Sequence, residues 1–242
     1  MWFPPTFTID PDNAYLLKAS GPDGSFDVEG ECIDVEDPID ITGGGWTWIG
    51  YKPEPAMTPA DAFVSIAPFM PNDIVKTQSG SAFFNGAMWF PPTFTLERGI
   101  GYKLKYQGAD NTLVYPTGTD ATSASGPTTS KVLKGDPGWT PAPGMETNMN
   151  VFVDDASVEG VPVLNGKVGT FDMATDECRG VADFFAGDAF LTVGFNSDEE
   201  GNEFYYLVWD SDADIIYEVE ETGVYESDAF INQNLTLIPG IT

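Results

Sequence analysis

The chain has 242 residues, 42% hydrophobic and 13% aromatic, with a formal net charge of −28 and no histidine. That much apolar chain can bury a core of one to three domains, while the charge repels nucleic acid and anionic membrane surfaces. Without histidine there is no Ser-His-Asp or Cys-His nucleophile and no histidine metal site; carboxylate pairs remain possible, and nothing in the sequence singles one out.

Residues 1–8 read Met-Trp-Phe-Pro-Pro-Thr-Phe-Thr, and residues 88–95 repeat them without change. The likeness continues at the same offset of 87, with Tyr15 matching Tyr102, Leu17 matching Leu104 and Lys18 matching Lys105. This is a tandem duplication of domain size, longer than common solenoid units. Phe94 and Leu96 alternate with Thr93 and Thr95, which predicts a half-buried strand in each copy. The Pro-Pro pair cannot donate ladder hydrogen bonds and predicts a strand start or sheet edge. Trp2, Phe3, Pro4 and Pro5 are therefore the candidate self-assembly contacts. The competing reading makes Trp2 and Trp89 core anchors of the two copies.

Residues 1–26 hold the closing strands of a repeat whose opening is not in the chain. Residues 27–40 are an acidic linker. Gly43-Gly44-Gly45 allow a turn or a close approach. They introduce a strand with Trp46 and Trp48 on one face and Ile49 and Tyr51 on the other. A strand apolar on both faces is either central to a core or part of an interface. Thr58-Pro59-Ala60-Asp61 starts a helix, with Thr58 as cap and Phe63, Ile66 and Ala67 on the apolar face. Pro68 and Pro71 end it. Short strands follow at 74–76 and 81–84, and Asn85-Gly86 turns the chain into the second copy of the motif. Residues 46–106 are thus one full repeat, with one helix and five or six strands, inside a repeat region 1–116.

Residues 117–147 read as a linker, low in hydrophobes at its start. Residues 148–242 form a β-sandwich-like module, with antiparallel strands expected at 150–153, 181–185, 190–195, 204–209 and 215–218. A hairpin turn is expected over 196–202. The fold class is mainly β: tandem aromatic-rich β repeats with one short helix, followed by the sandwich-like module.

Two acidic runs resemble calcium loops. Asn196, Asp198 and Glu200 begin one, but its twelfth position is Leu207; Asp210, Asp212 and Asp214 begin another, but Ile215 replaces the required glycine. Both read as solvated turns, and no metal or cofactor is expected. Cys32 and Cys178 lie 146 residues apart and form no metal-ligand spacing, so both are expected to be reduced.

The opening Trp46 to Tyr51, the stretch Asp73-Ile74-Val75-Lys76 with Gln78, and Gly101-Tyr102 resemble a W-x-W-[IV]-G-[FY] repeat of bacterial secreted and cell-surface proteins. In those proteins the repeat often precedes a module with features matched here by Asn148-Met149, Glu177-Cys178-Arg179-Gly180 and Phe190 to Val193. With the duplicated aromatic motif and the acidity, the chain resembles the pyrenoid shell protein family of diatoms. That resemblance implies a non-enzymatic structural protein of the chloroplast. It would self-assemble with copies of itself into a sheet or shell around the Rubisco matrix of the pyrenoid. The alternative is an extracellular carbohydrate-binding or adhesion module, with exposed Trp and Tyr stacking on sugar rings.

Overall fold

The computed structural model describes residues 10, 12–15, 34–117 and 135–239. Trp2, Phe3, Pro4, Pro5 and Cys32 lie outside the described residues. The protein is mainly β, with one short α-helix among the described residues, and divides into two compact units: residues 1–77 with 82–126, and residues 78–81 with 127–242.

The first unit contains β1 (Ile39–Ile41), β2 (Gly45–Gly50), helix α1 (Pro59–Ala62), a 3-10 turn (Val64–Ile66), β3 (Ile74–Lys76), β4 (Ser81–Phe84), β5 (Trp89–Phe90), β6 (Gly101–Tyr106) and β7 (Asn111–Leu113). Five strands form one sheet in the order β2-β6-β3-β4-β5, and β1 pairs with β7. Alternation along β6 sends Tyr102, Leu104 and Tyr106 into the core, where they join Ile49, Val75, Phe63 and Ile66. The helix starts as its sequence dictates: Thr58 Oγ1 accepts from Asp61 N at 3.3 Å, and Pro59 fills the first turn. Ala62 takes the buried place expected of Ala67, which is exposed. Asn85 Oδ1 accepts from Ala87 N and Met88 N and closes the β4–β5 hairpin.

Gly43 is a close-approach glycine. A Cβ there would sit 2.5 Å from Asp110 N, and the Gly43 N–H donates to the Asp110 carboxylate at 2.8 Å. This bond ties the start of β2 to the loop after β6.

One expectation for this unit is corrected. The strand of the repeated motif is Trp89–Phe90, ahead of the prolines, not residues 93–96. Pro91 opens a turn closed by Phe94 N donating to Pro91 O at 3.1 Å, and only Leu96 bridges, to Met57. Proline removes the ladder donors needed to continue the strand. Of the two places the sequence left open for β2, it is not central: it lies at the edge of the described sheet.

The second unit contains β8 (Thr147–Val158), β9 (Val161–Pro162), β10 (Gly166–Asp172), β11 (Cys178–Asp183), β12 (Ala189–Phe195), β13 (Glu203–Asp210), β14 (Ile215–Val224) and β15 (Phe230–Ile238). Their order is β11-β10-β13-β14-β15-β8-β12, with β9 on β8. The sheet curls until its two end strands approach: a Cβ on Gly180 of β11 would lie 2.6 Å from the Thr192 carbonyl of β12. Inward-facing Val151, Val153, Leu191, Val193, Phe204, Tyr206 and Val208 fill the space between the two halves. The result is a sandwich-like module made from one curled sheet.

Three sequence expectations change here. Residues 196–202 do not close a hairpin, because β12 pairs with β8 while β13 pairs with β10 and β14. The loop crosses from one half to the other. The sandwich is not wholly antiparallel either, since β15 runs parallel to β8. Finally, residues 135–146, expected as linker, lie along the outer face of the module. Asp136 pairs with Lys167 at 2.6 Å, Trp139 packs edge-on to Phe171, and Ala142 N donates to Cys178 O at 2.9 Å. Gly169 leaves room for this strap, since a Cβ there would stand 2.9 Å from the Trp139 indole.

Candidate interaction face

In antiparallel β2 and β6, Trp46 lies opposite Lys105 and Trp48 opposite Lys103; on β3, Lys76 lies opposite Lys103. Directly opposed residues share a face. Two tryptophans and three lysines are thereby gathered on the face of the sheet away from Tyr102 and Leu104. Lys76, Lys103 and Lys105 place their ammonium groups 4.8, 5.0 and 5.8 Å from the centre of the Trp46 ring. Lys103 also lies 5.5 Å from the Trp48 ring. At such distances the ring faces attract the cations. The whole chain has ten Lys and Arg, so three of them meet on one tryptophan.

The face is covered at one end and open at the other. On β3, Ile74 and Lys76 are buried. On the edge strand β2, Trp48 is 44% exposed. A half-exposed tryptophan beside a lysine can take an apolar or aromatic surface and an anion together.

In the second copy of the motif, Trp89 takes the core-anchor role that the sequence reading gave it. Trp89 is buried against Phe63, Phe69 and Phe84, with ring centres 6.0, 5.2 and 5.9 Å away, and Phe90 is buried against Phe83. These are core anchors. The described part of the first copy keeps the turn geometry of its twin. Asp10 N donates to Tyr15 Oη at 2.8 Å as Glu97 N does to Tyr102 Oη at 2.6 Å. Asn13 N donates to Asp10 O as Ile100 N does to Glu97 O. Tyr15 is exposed, whereas Tyr102 is buried, where loss of solvation pushes its hydroxyl up to about 12.

The second unit holds a buried cation that sequence reasoning noted only within a resemblance. Arg179 on β11 donates through Nη2 to Asp172 at 2.7 Å and to Glu199 at 2.9 Å; its Nη1 lies 3.3 Å from Glu177. The guanidinium also stands 4.5 Å from the Phe195 ring centre. Arg179 and Asp172 side chains are each 2% exposed. Burial pulls the Asp172 carboxyl upward, but the Arg179 bond and the N–H groups of Ala174 and Thr175 outweigh it and hold it below the usual carboxylate range. Glu199 also accepts from Asn196 N at 2.6 Å, which fixes the crossing loop. The available signal was compositional: Arg179 is one of two cations among residues 151–242, which carry 20 acids.

One guanidinium thus holds three carboxylates, with the Arg179–Asp172 pair buried. Among the described residues, no group of three or more Cys, Asp or Glu is placed to hold a metal ion. The loop Asp210–Asp214 is a hairpin turn in which Asp210 Oδ1 accepts from Asp212 N and Ala213 N. Cys178 is a free thiol, and burial raises its pKa. No family model matches the chain, and no curated protein matches it.

Proposed function

We propose that this chain is a non-enzymatic structural protein that assembles with copies of itself into a sheet or shell. One observation carries the reading: β2, at the edge of the described sheet, presents half-exposed Trp48 with the Lys103 ammonium 5.5 Å from its ring, on a chain whose net charge is −28. An acidic molecule that gathers scarce cations on an aromatic face has a surface complementary to the rest of itself. In the setting that the family resemblance implies, the assembly would enclose the Rubisco matrix of the chloroplast pyrenoid. The test is electron microscopy of concentrated pure protein with sedimentation across a concentration series. Ordered sheets or tubes support the reading; a monodisperse monomer at every concentration overturns it.

The same pair of tryptophans favours one second reading, a carbohydrate-binding module of an extracellular protein. Trp46 and Trp48 project from one face of a strand, and Trp48 is open to stack on a sugar ring. Glycan-array binding that disappears in Trp48→Ala, with no assembly of the parent protein, would establish it instead.

A further inference from the structure

We infer that Asn85 is a site of spontaneous modification directed by the fold: its carboxamide closes onto the Gly86 nitrogen, and the β4–β5 turn acquires an aspartate or isoaspartate. The sequence has two Asn-Gly pairs, Asn85-Gly86 and Asn165-Gly166. Glycine has no Cβ to hinder its nitrogen, so the sequence gives both pairs the same chemistry. The fold separates them.

At Asn85, Oδ1 accepts from Ala87 N at 3.0 Å and from Met88 N at 2.9 Å. These donors stand where negative charge develops when a nucleophile adds to Cγ, which is the arrangement of an oxyanion hole. Residues 85–88 are all exposed, and among the described residues the Gly86 N–H has no hydrogen-bond acceptor. The nucleophile is therefore untied, and water reaches the turn. Asp172 makes the same pair of bonds, to Ala174 N and Thr175 N, and Asp210 makes it to Asp212 N and Ala213 N. Both are carboxylates, which resist nucleophiles, and neither precedes a glycine. Asn165 lacks the activation. Its Nδ2 donates to the Asp212 carboxylate at 2.9 Å, which feeds electron density into the amide and makes Cγ less electrophilic. Gly166 is buried in β10 opposite Asp210, and its carbonyl accepts from Phe184 N at 3.0 Å. Ring closure there would disturb strand pairing on both sides.

In the reaction the Gly86 nitrogen loses its proton and attacks Asn85 Cγ. The new C–N bond closes a cyclic imide, the Cγ–Nδ2 bond breaks, and Nδ2 leaves as ammonia with the proton that Gly86 gave up. Water then opens the imide. Breaking its bond to Cγ gives aspartate; breaking the backbone bond gives isoaspartate, with the main chain running through Cβ. Either product adds a negative charge beside Trp89, the core anchor of β5.

The test incubates the full-length protein at neutral pH and follows both Asn-Gly fragments by mass spectrometry after proteolysis. In the native protein Asn85 should convert about ten-fold or more faster than Asn165, and faster as pH rises. In urea the two rates should converge, because the fold alone distinguishes them. Asn165 keeping pace in the native protein would overturn the inference, as would a ten-fold ratio that persists in urea. Asn85→Ser keeps an oxygen for the turn and cannot form the imide, so the acidic form that accumulates on anion exchange should disappear. A variant that acidifies as fast as the parent would place the reaction elsewhere and overturn the assignment.

Discussion

Trp48 and Trp89 belong to one small sheet, yet they have opposite energetic roles. Trp89 fills a pocket of Phe63, Phe69 and Phe84, so Trp89→Ala leaves a cavity and should cost about 3–5 kcal/mol in urea unfolding. Trp48 is half in water, and Trp48→Ala should change stability by no more than about 0.5 kcal/mol. A large loss at Trp48 would mean that it anchors the fold and not a contact. Arg179 shows the same distinction for charge. Arg179→Met strands the buried Asp172 carboxylate and should destabilise the second unit by about 3–5 kcal/mol. Replacing both Arg179 and Asp172 by apolar residues should recover part of that loss, which denaturant titration of the double variant would measure.

Elements carry the pH response. Asp172 sits at the end of β10, and its native pKa is held below the ordinary value of about 3.9. A carboxyl depressed in the native state contributes stability that is full above the unfolded pKa and is lost as pH falls through the native one. The second unit should therefore lose stability below about pH 4, and Asp172→Asn should flatten that loss while lowering stability at neutral pH. Circular dichroism melts from pH 7 downward would show it; an unchanged acid slope in the variant would assign the loss to other carboxylates. The strap over β10 offers a second element-level test. Gly169→Val would drive a side chain into Trp139. It should cost about 1–3 kcal/mol and shift tryptophan emission to the red as the indole meets water.

For the whole molecule, assembly and charge act against each other over different distances. Two chains of −28 repel at long range, whereas ion pairs in a contact act within a few ångströms. The screening length is about 30 Å at 0.01 M salt, 8 Å near physiological strength and 3 Å at 1 M. Added salt or divalent cations should first strengthen assembly, by removing the long-range repulsion. Toward 1 M, salt should weaken it by reaching the contact pairs. Light scattering against salt should pass through a maximum; a monotonic fall from low salt would show that ion pairs outweigh the repulsion throughout.

Local chemistry made much of the fold legible in the sequence. Thr58-Pro59 starts a helix wherever it lies, because a hydroxyl and a fixed φ answer unpaired N–H groups beside them. Asn85-Gly86 turns the chain, and period-two alternation sets the faces of β6 and β13. The duplication is also local evidence, and Tyr15 and Tyr102 share its hydrogen bond. Only the tertiary structure decided which strands are neighbours. Residues 196–202 have the composition of a hairpin turn, but β12 and β13 bond elsewhere, since pairing depends on partners distant in sequence. Trp46 and Trp48 read as apolar on either kind of strand; they lie on the face away from the core because their register with β6 sets them opposite Lys105 and Lys103, while Tyr102 and Leu104 take the core side. Trp89 reads as a core anchor from the repeat, and only the fold names Phe63, Phe69 and Phe84 as the rings that bury it. Residue type sets what a side chain can do, and burial by remote parts of the chain sets whether it packs the core or meets a partner.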